Sequence, residues 1–515
     1  MSDFLCGLTG RIVLPFEPEY QEDRQGFNRA IQQYPLIIVY CENKSDVSNA
    51  VIWAIKHQIP IRIRSGGHNY EGYSNGNCTI VIDISSLNRM IIDENSNTLY
   101  AEGGVTNEQV YQFVGTKGYP FPGGTCPTVG VSGYALGGGW GLSCRYFGLG
   151  CDSLLEIEMV SAAGEVLKAN ECLNPDLYWA VRGAGGGNYG IIVAMKFGLP
   201  SKVDQVTLIE IDYLRVSERE QESFLFLWQK WLKGADRRTT LISRIYNSKA
   251  DGLAMLVRGI FYGRPEEAKK IMADFLALKG AMYRFSYVSF LEAVTIIGSA
   301  YPPYERFQSV SRFVTQDFNC IEIPQITALI RKRPKGSVFT GLSMYALGGK
   351  VSEVGQDDTA FFYRRANYII WLETIWEEKK YAQDNRQWIK RQFPTLAMFT
   401  RGSYVNFPYR GLPNYLKEYY GTHVDRLEMI KRRYDPCNVF SYPQGLMEEG
   451  NEKPCSLEEK QSLSFLKQRG GKPVKTVPEQ STYRGFRYVI KGEDGQEIGG
   501  CKKSKQHKDW NKDWK

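Results

Sequence analysis

At 515 residues the chain is too long for one ordinary core, so two domains with additions are expected, and 43% hydrophobic residues suffice to build them. The net charge of +8 is uneven: residues 447–515 hold 15 Lys/Arg against 11 Asp/Glu, about half of the excess, which leaves the body without a nucleic-acid footprint. The N-terminus lacks a basic region followed by an apolar core, and no run of 18 apolar residues occurs. Neither a signal peptide nor a membrane span is therefore expected, and beyond a cytoplasmic default the sequence names no compartment.

Residues 27–64 read as helix, strand, helix, strand. Leu36–Tyr40 is a short apolar strand, Lys44–His57 has helical spacing with a start signal at Asp46, and Ile61–Arg64 alternates before running into Gly66 and Gly67. Strands are expected at Thr79–Ile84 and Thr98–Glu102, with a helix at Val105–Lys117 between them and a glycine-dense stretch over 123–150. A loop that long and apolar is usually functional, and Trp140, Leu142 and Tyr146 argue that it packs. A second glycine-rich run, Arg182–Gly190, leads into a strand at Ile191–Phe197. Beyond Pro200 the pattern is strand (Val206–Tyr213), helix (Glu220–Lys233), strand (Leu253–Tyr262), helix (Pro265–Leu278), which predicts a second, α+β domain over 205–395. Glycine returns in Arg401–Phe407, and a charged helix is expected around His423–Arg433. After Gly445 the composition shifts to Lys, Glu, Gly and Gln, the signature of a mobile tail.

Eleven cysteines, an odd number without a CxxC pair, argue against a zinc ribbon or a disulfide scaffold and read mostly as small buried apolar groups. The four histidines, His57, His68, His423 and His507, lack metal-ligand spacing, so no metal is expected. His57 and His507 read as solvated and His423 as structural. His68 differs, because it lies in Arg64-Ser65-Gly66-Gly67-His68-Asn69-Tyr70, a turn leaving a strand. Glycines there let the backbone approach a ligand and expose successive amide donors, although the pattern alone divides evenly between a binding turn and an ordinary capped one. The run from Pro122 through Gly133 to Gly141 lacks the strand spacing and acidic residue of a Rossmann fingerprint. Backbone amides lining a diphosphate would account for it.

Taken in order, Arg-Ser-Gly-Gly-His-Asn, Gly-Gly-Thr-Cys-Pro-Thr-Val-Gly-Val-Ser-Gly, Gly-Gly-Gly-Trp-Gly, Arg-Gly-Ala-Gly-Gly-Gly-Asn-Tyr-Gly, Tyr404-Val-Asn406-Phe407 and Tyr434-Asp-Pro-Cys-Asn-Val-Phe440 resemble the berberine-bridge-enzyme-like branch of the vanillyl-alcohol-oxidase flavoproteins, across residues 5–446. The resemblance implies an α+β fold: a two-part PCMH-type FAD-binding domain (1–200 and the returning segment 400–446) with an inserted substrate domain (205–395) whose antiparallel sheet is covered by helices. The tail 447–515 has no counterpart in the pattern.

The resemblance further implies FAD tethered twice, through His68 to a ring methyl carbon and through Cys126 to ring carbon 6. Two tethers prevent cofactor loss and make the flavin a stronger oxidant. Cofactor contacts would come from Arg64, Ser65, Gly66, Gly67, Asn69 and Gly72, then Val129, Gly130, Ser132, Gly133 and Gly137. Gly190 and Ile192 would pack the adenine, and Tyr404 and Asn406 would return across the isoalloxazine. Tyr404 stands where several members keep a base, on condition that nearby donors or cations lower its pKa from ~10. Phe407 removes the second hydroxyl of that segment. Glu373 is the carboxylate nearest the position, here Trp371, that corresponds to the glutamate of alkaloid-cyclising relatives. In plant relatives a valine at the position of Val129 accompanies oxidase behaviour, and a leucine there accompanies dehydrogenase behaviour. The expected activity is oxidation of a sugar or other alcohol by O2, giving H2O2, by a monomer without nucleic-acid or membrane partners. The alternatives are a dehydrogenase with another acceptor and, in view of Phe407, Trp371 and the tail, a flavin-bearing binding protein with a degenerate site.

Overall fold

The computed structural model describes residues 4–447 and the strands Val489–Lys491 and Glu497–Gly500. Short apolar runs near the N-terminus form strands β1 (Arg11–Val13), β2 (Ile37–Tyr40), β3 (Ile61–Arg64) and β4 (Ile80–Asp83). They pair in the order β1-β2-β4-β3, with β1 antiparallel to β2 and the other pairs parallel. Parallel strands need a crossover, and the helix Lys44–Lys56 supplies it between β2 and β3, which flank β4. Asn43 caps that helix, accepting from the Asp46 amide at 3.0 Å. A second, wholly antiparallel sheet follows: β5 (Met90–Asp93), β6 (Thr98–Glu102), β7 (Leu154–Val160), β8 (Val166–Asn170) and β9 (Ile191–Gly198), in the order β5-β6-β9-β7-β8. The crossover helix is gripped between the two sheets: Val47, Val51 and Ala54 share a core with Val39 and Ile82 of the first sheet and Val160 and Val193 of the second.

The third sheet is antiparallel throughout and has seven strands: β10 (Val206–Tyr213), β11 (Thr239–Ser248), β12 (Gly252–Phe261), β13 (Met282–Val288), β14 (Phe307–Val314), β15 (Ser337–Ala346) and β16 (Tyr368–Trp376). Their order is β13-β10-β12-β11-β15-β16-β14. Strand alternation divides its side chains between two environments. Ile211, Val257, Ile245, Leu342 and Leu372 pack under the helix Glu218–Lys233 and its neighbours, among Phe224 and Trp228. The intervening residues face the first two sheets across a cavity. The α+β reading holds, with this antiparallel sheet helix-covered on one side.

Several expected elements differ. No helix forms over 27–35, because tertiary hydrogen bonds replace the helical ladder. The Arg29 amide donates to the Glu305 carbonyl (2.8 Å), and the Asn28 amide group donates to the carbonyls of Tyr70 (2.9 Å) and Phe307 (3.1 Å). The glycine-dense stretch contains the short helices Val131–Leu136 and Cys144–Phe147, and the helix expected over 265–278 is interrupted at Met272. Of the free cysteines among the described residues, only Cys41, Cys144 and Cys151 are buried, so the expectation of mostly buried thiols is corrected. His423 is structural as expected: it is buried against Trp179 and Phe362, with Nε2 2.9 Å from Asp357. His57 rests on Trp53 and Phe4 rather than standing free in solvent, and His507 lies outside the described residues. No helix among the described residues is long and apolar enough to cross a membrane.

The C-terminal segment is fastened by one buried cation. Lys431 donates to the carbonyls of Asn188 (2.7 Å) and Phe440 (2.9 Å) and to the Asp435 carboxylate (2.6 Å), which also accepts the amides of Val439 and Phe440. This locks the second glycine-rich run to the end of the body. Leu446 is buried and its amide donates to Asn188. Most of the tail, including the mobility expected for it, lies outside the described residues. Truncation after Met447 is expected to leave a soluble, FAD-loaded protein, measured by yield and flavin absorbance. Truncation after Gly445, which removes Leu446, should lower the melting temperature by several degrees, since losing a buried leucine costs about 2–5 kcal/mol.

Candidate functional site

A cavity of about 720 Å³ runs between the first two sheets and the open face of the third. One wall is backbone. Leaving β3, the chain turns through Ser65, Gly66 and Gly67 against the 128–130 segment so closely that a Cβ on Gly66 would stand 2.3 Å from the Gly130 amide nitrogen. Gly67 adopts φ +68°, where glycine is unstrained. Ser65 and Ser132 both donate to the Gly103 carbonyl (2.9 and 2.8 Å), tying the two turns together. A Cβ on Gly133 would meet no protein atom within 4 Å and would project into the cavity, so glycine keeps this wall open for a ligand to lie against the backbone.

His68 and Cys126 come to the same end of this wall, and both reach Thr128 Oγ1, His68 through Nε2 at 2.7 Å and Cys126 through Sγ at 3.7 Å. The His68 ring stacks on Phe27 with centroids 4.2 Å apart. It faces the cavity rather than bulk water, and this desolvation lowers its pKa to about 4, so the imidazole is neutral at physiological pH. Burial raises the Cys126 thiol, against hydrogen bonds from Thr128 that favour the thiolate.

The opposite wall belongs to the third sheet. There Trp371 of β16 meets Tyr70, from the turn after β3, and Phe407, from the C-terminal segment: Tyr70 stacks on Phe407 at 5.3 Å and on Trp371 at 5.6 Å, and Trp371 and Phe407 are tilted at 5.4 Å. Beside them, Glu373 on β16 is 2% exposed, with Arg244 of β11 3.5 Å from its Oε1. The Arg244 Nε donates to Ser343 Oγ at 2.7 Å, which aims the guanidinium. Burial pushes Glu373 up to about 8, opposed by Arg244 and reinforced by Glu305. Burial likewise raises Glu305 to about 7, against Arg244. Glu373 Oε1 and Trp371 Nε1 are buried without hydrogen-bond partners among the described residues, which marks them as groups available to a ligand. The Tyr404 hydroxyl oxygen accepts from the amides of Gly139 (2.9 Å) and Trp140 (3.2 Å) and from Asn406 Nδ2 (3.1 Å). The donors needed to favour a phenolate are thus present, yet burial outweighs them and the phenol is raised.

Of the residues singled out in the sequence, Ser65, Gly66, Gly67, His68, Asn69, Cys126, Val129, Gly130, Ser132, Gly133, Gly190, Ile192, Glu373, Tyr404 and Asn406 line the cavity. Three do not. Arg64 turns away, its guanidinium ion-paired with Asp83 inside the body. Gly72 packs against Ile31, where a Cβ would lie 2.8 Å from its side chain. Gly137 backs onto Asn406, where a Cβ would come within 1.9 Å of Oδ1. Sequence reasoning missed Arg244, Glu305 and Tyr301. Arg244 lies on β11, where no strand is expected from the sequence, and the signal for it is a lone arginine within the apolar stretch from Leu241 to Tyr246.

The segment 35–170 matches the model of an FAD binding domain, and 403–447 matches the berberine and berberine-like model. An FAD-linked oxidoreductase of Bacillus subtilis (strain 168), YgaK, is 35% identical over 448 residues, which cover 85% of this chain and 97% of the relative. The chain belongs to the berberine-bridge-enzyme-like family of FAD-linked oxidoreductases. The solved structure of Physcomitrella patens BBE-like 1 superposes with a TM-score of 0.80 at 25% identity, covering 87% of this chain and 99% of that one. A chitooligosaccharide oxidase shares the fold, with a TM-score of 0.78 at 23% identity over 86% and 98% of the two chains. The glycine wall fits the family's FAD: it offers backbone and open space where a side chain would block a dinucleotide. As in other berberine-bridge-enzyme-like proteins, the PCMH-type architecture sets this wall against an antiparallel sheet.

Proposed function

We propose that this FAD-linked oxidoreductase is an oxidase that takes two electrons from a CH–OH carbon of a sugar or another alcohol and passes them to O2, releasing H2O2. The observation that carries the reading is the shared cavity, in which the glycine wall with His68 and Cys126 faces an aromatic surface beside the buried Glu373–Arg244 pair. In this reading residues 1–200 and 400–446 hold the cofactor and 205–395 the substrate. His68 and Cys126 are its covalent tethers. The 65–69 and 129–133 turns hold the diphosphate, Gly190 and Ile192 the adenine, and Asn406 the ring system. Bound FAD supplies the acceptor for the carbon-bound hydrogen and its electron pair.

The chain's own part is to bind, orient and deprotonate. Tyr70, Trp371 and Phe407 offer flat apolar faces of the kind that pack on a sugar ring, and the fold shared with a chitooligosaccharide oxidase supports a carbohydrate donor. The Trp371 N–H donates to a substrate oxygen. Glu373, rather than Tyr404, takes the hydroxyl proton: its Oε1, 3.5 Å from Arg244 but without a hydrogen bond, lies at the cavity, and its affinity for a proton suits a base near neutrality. Tyr404 instead fixes the 139–140 backbone. Peroxide release across a panel of mono- and oligosaccharides and simple alcohols tests the reading. Reduction of an artificial acceptor without peroxide from any of them would replace it with a dehydrogenase.

Val129 bears on the oxygen step. It lines the cavity three residues after Cys126, and oxygen must pass a close-packed wall to reach the cofactor. Val129→Leu adds one methylene, worth only roughly 0.8 kcal/mol in burial but enough to close a gap of oxygen's size. The expected result is slower reoxidation by O2 with an unchanged rate of anaerobic reduction, measured by stopped-flow mixing. Equal reoxidation rates in the two proteins would remove Val129 from the oxygen path.

A further inference from the structure

Two segments distant in sequence meet at one hydroxyl. His68 leaves the turn after β3, Cys126 follows the helix Asn107–Gly115, and both reach Thr128 Oγ1, His68 Nε2 at 2.7 Å and Cys126 Sγ at 3.7 Å. Neither approach is loose. The His68 ring lies on Phe27, whose amide donates to the Gly67 carbonyl at 3.0 Å. The cysteine segment is tied to the first turn of the helix. Buried Asn107 donates through Nδ2 to the Cys126 carbonyl (3.0 Å) and through its amide to the Val129 carbonyl (2.9 Å), and the Glu108 amide donates to the Pro127 carbonyl (3.0 Å). His68 and Cys126 line the cavity, whereas Thr128 lies outside its wall and is exposed. Its hydroxyl therefore stands between the two side chains and water.

A threonine hydroxyl accepts and donates at once. When neutral His68 gives its Nε2 proton to Oγ1, the imidazole lone pair is left on Nδ1 and the threonine's own proton is left for the sulfur. A cysteine attacks as its thiolate, and an O–H donor at the sulfur favours that form. One side chain thus serves two nucleophiles through its two hydrogen-bonding roles.

We propose that Thr128 is a positioning residue for flavin attachment: its hydroxyl fixes the tautomer of His68, donates to the Cys126 sulfur, and links both to water for the protons that attachment releases. The inference rests on the reading of His68 and Cys126 as tethers. At Cys126 the S–H bond and the C–H bond of ring carbon 6 break and a C–S bond forms. Both hydrogens leave as protons, and the electron pair passes through the ring to O2, which is reduced to H2O2 with two protons drawn from water. At His68 the balance is the same, the Nε2 proton and one methyl hydrogen being lost while Nδ1 bonds the methyl carbon.

The test counts attachment directly. Protein expressed in air is acid-precipitated and digested, and mass spectrometry measures the fraction of the peptides holding residues 68 and 126 that carries FAD. Thr128→Val keeps the shape and removes the hydroxyl, whereas Thr128→Ser keeps the hydroxyl. Wild type and Thr128→Ser are expected to carry FAD at both residues. Thr128→Val should bind FAD yet attach it about 10-fold less, releasing the rest into the acid supernatant, in line with the loss of a hydrogen bond to a charged group. Full attachment at both residues in Thr128→Val overturns the inference, and so does a Thr128→Ser protein that behaves like Thr128→Val. Should Thr128→Val fail to fold, Thr128→Ala takes its place, and full attachment in it overturns the inference equally. Release of all FAD from the wild type is a separate result: it fails the tether reading itself and takes the inference with it.

Discussion

Glu373→Gln is expected to keep its FAD and its fold while losing about 100- to 10,000-fold of the rate of flavin reduction, the usual cost of removing a positioned base. The amide preserves the shape of a side chain that is 2% exposed, so packing is conserved and only the proton-accepting oxygen is lost. Tyr404→Phe, by contrast, should act mainly through the 139–140 backbone that its hydroxyl holds, lowering stability before chemistry. The pH dependence has a definite sign. A base works unprotonated, so the wild-type reduction rate should climb as pH rises through about 8, and Glu373→Gln should lose that limb. Stability runs the other way. The folded value lies above the ordinary 4.5, so this group's contribution is fully present below 4.5 and is lost as pH rises through about 8. Glu373→Gln should therefore flatten the fall in melting temperature between about pH 4.5 and pH 8. A variant within about threefold of the wild-type rate would move the base elsewhere.

The second large effect is all-or-none. After acid precipitation the yellow colour should stay with the wild-type polypeptide, and with His68→Ala and Cys126→Ala, while His68→Ala/Cys126→Ala should release FAD into the supernatant. The expectation rests on two reactive side chains at one end of the cavity sharing Thr128 as a partner. Burial holds His68 neutral, so a ring nitrogen lone pair is available for bonding at physiological pH. A yellow supernatant from the wild type would remove both tethers from the reading. A yellow supernatant from one single variant would leave one tether, at the residue that variant replaced.

What could be read in advance divides along physical lines. Leu36–Tyr40, Ile61–Arg64 and Val206–Tyr213 are short apolar or alternating runs whose pattern is local, and strands stand there. The segment 27–35 also has a pattern, but its backbone is claimed by Gly67 and Glu305 and the Asn28 side chain by Tyr70 and Phe307, partners distant in sequence, so helical spacing misled. The cavity-lining glycines were legible because close backbone approach demands glycine whatever the rest of the chain does. Arg64, Gly72 and Gly137 sit in the same motifs yet serve the scaffold behind the wall, a distinction that motif position does not carry. Arg244 and Glu373 could not be paired from the sequence, since their meeting depends on the registers of β11, β15 and β16.

The alternation along β16 has a consequence for how such a protein diversifies. Residues 370, 372 and 374 belong to the helix-covered interior, where Thr374 is bonded to Asn385, whereas 371, 373 and 375 line the cavity. Neighbouring letters of one strand therefore answer to separate constraints, fold on even numbers and recognition on odd. The same holds along β10, β11, β12 and β15, where Glu210, Arg258, Ile242 and Tyr345 lie side by side in register on the open face. A lineage can rewrite this row one position at a time without disturbing either the interior or the glycine wall opposite, so new donors become reachable by single substitutions while the cofactor's seat is inherited intact.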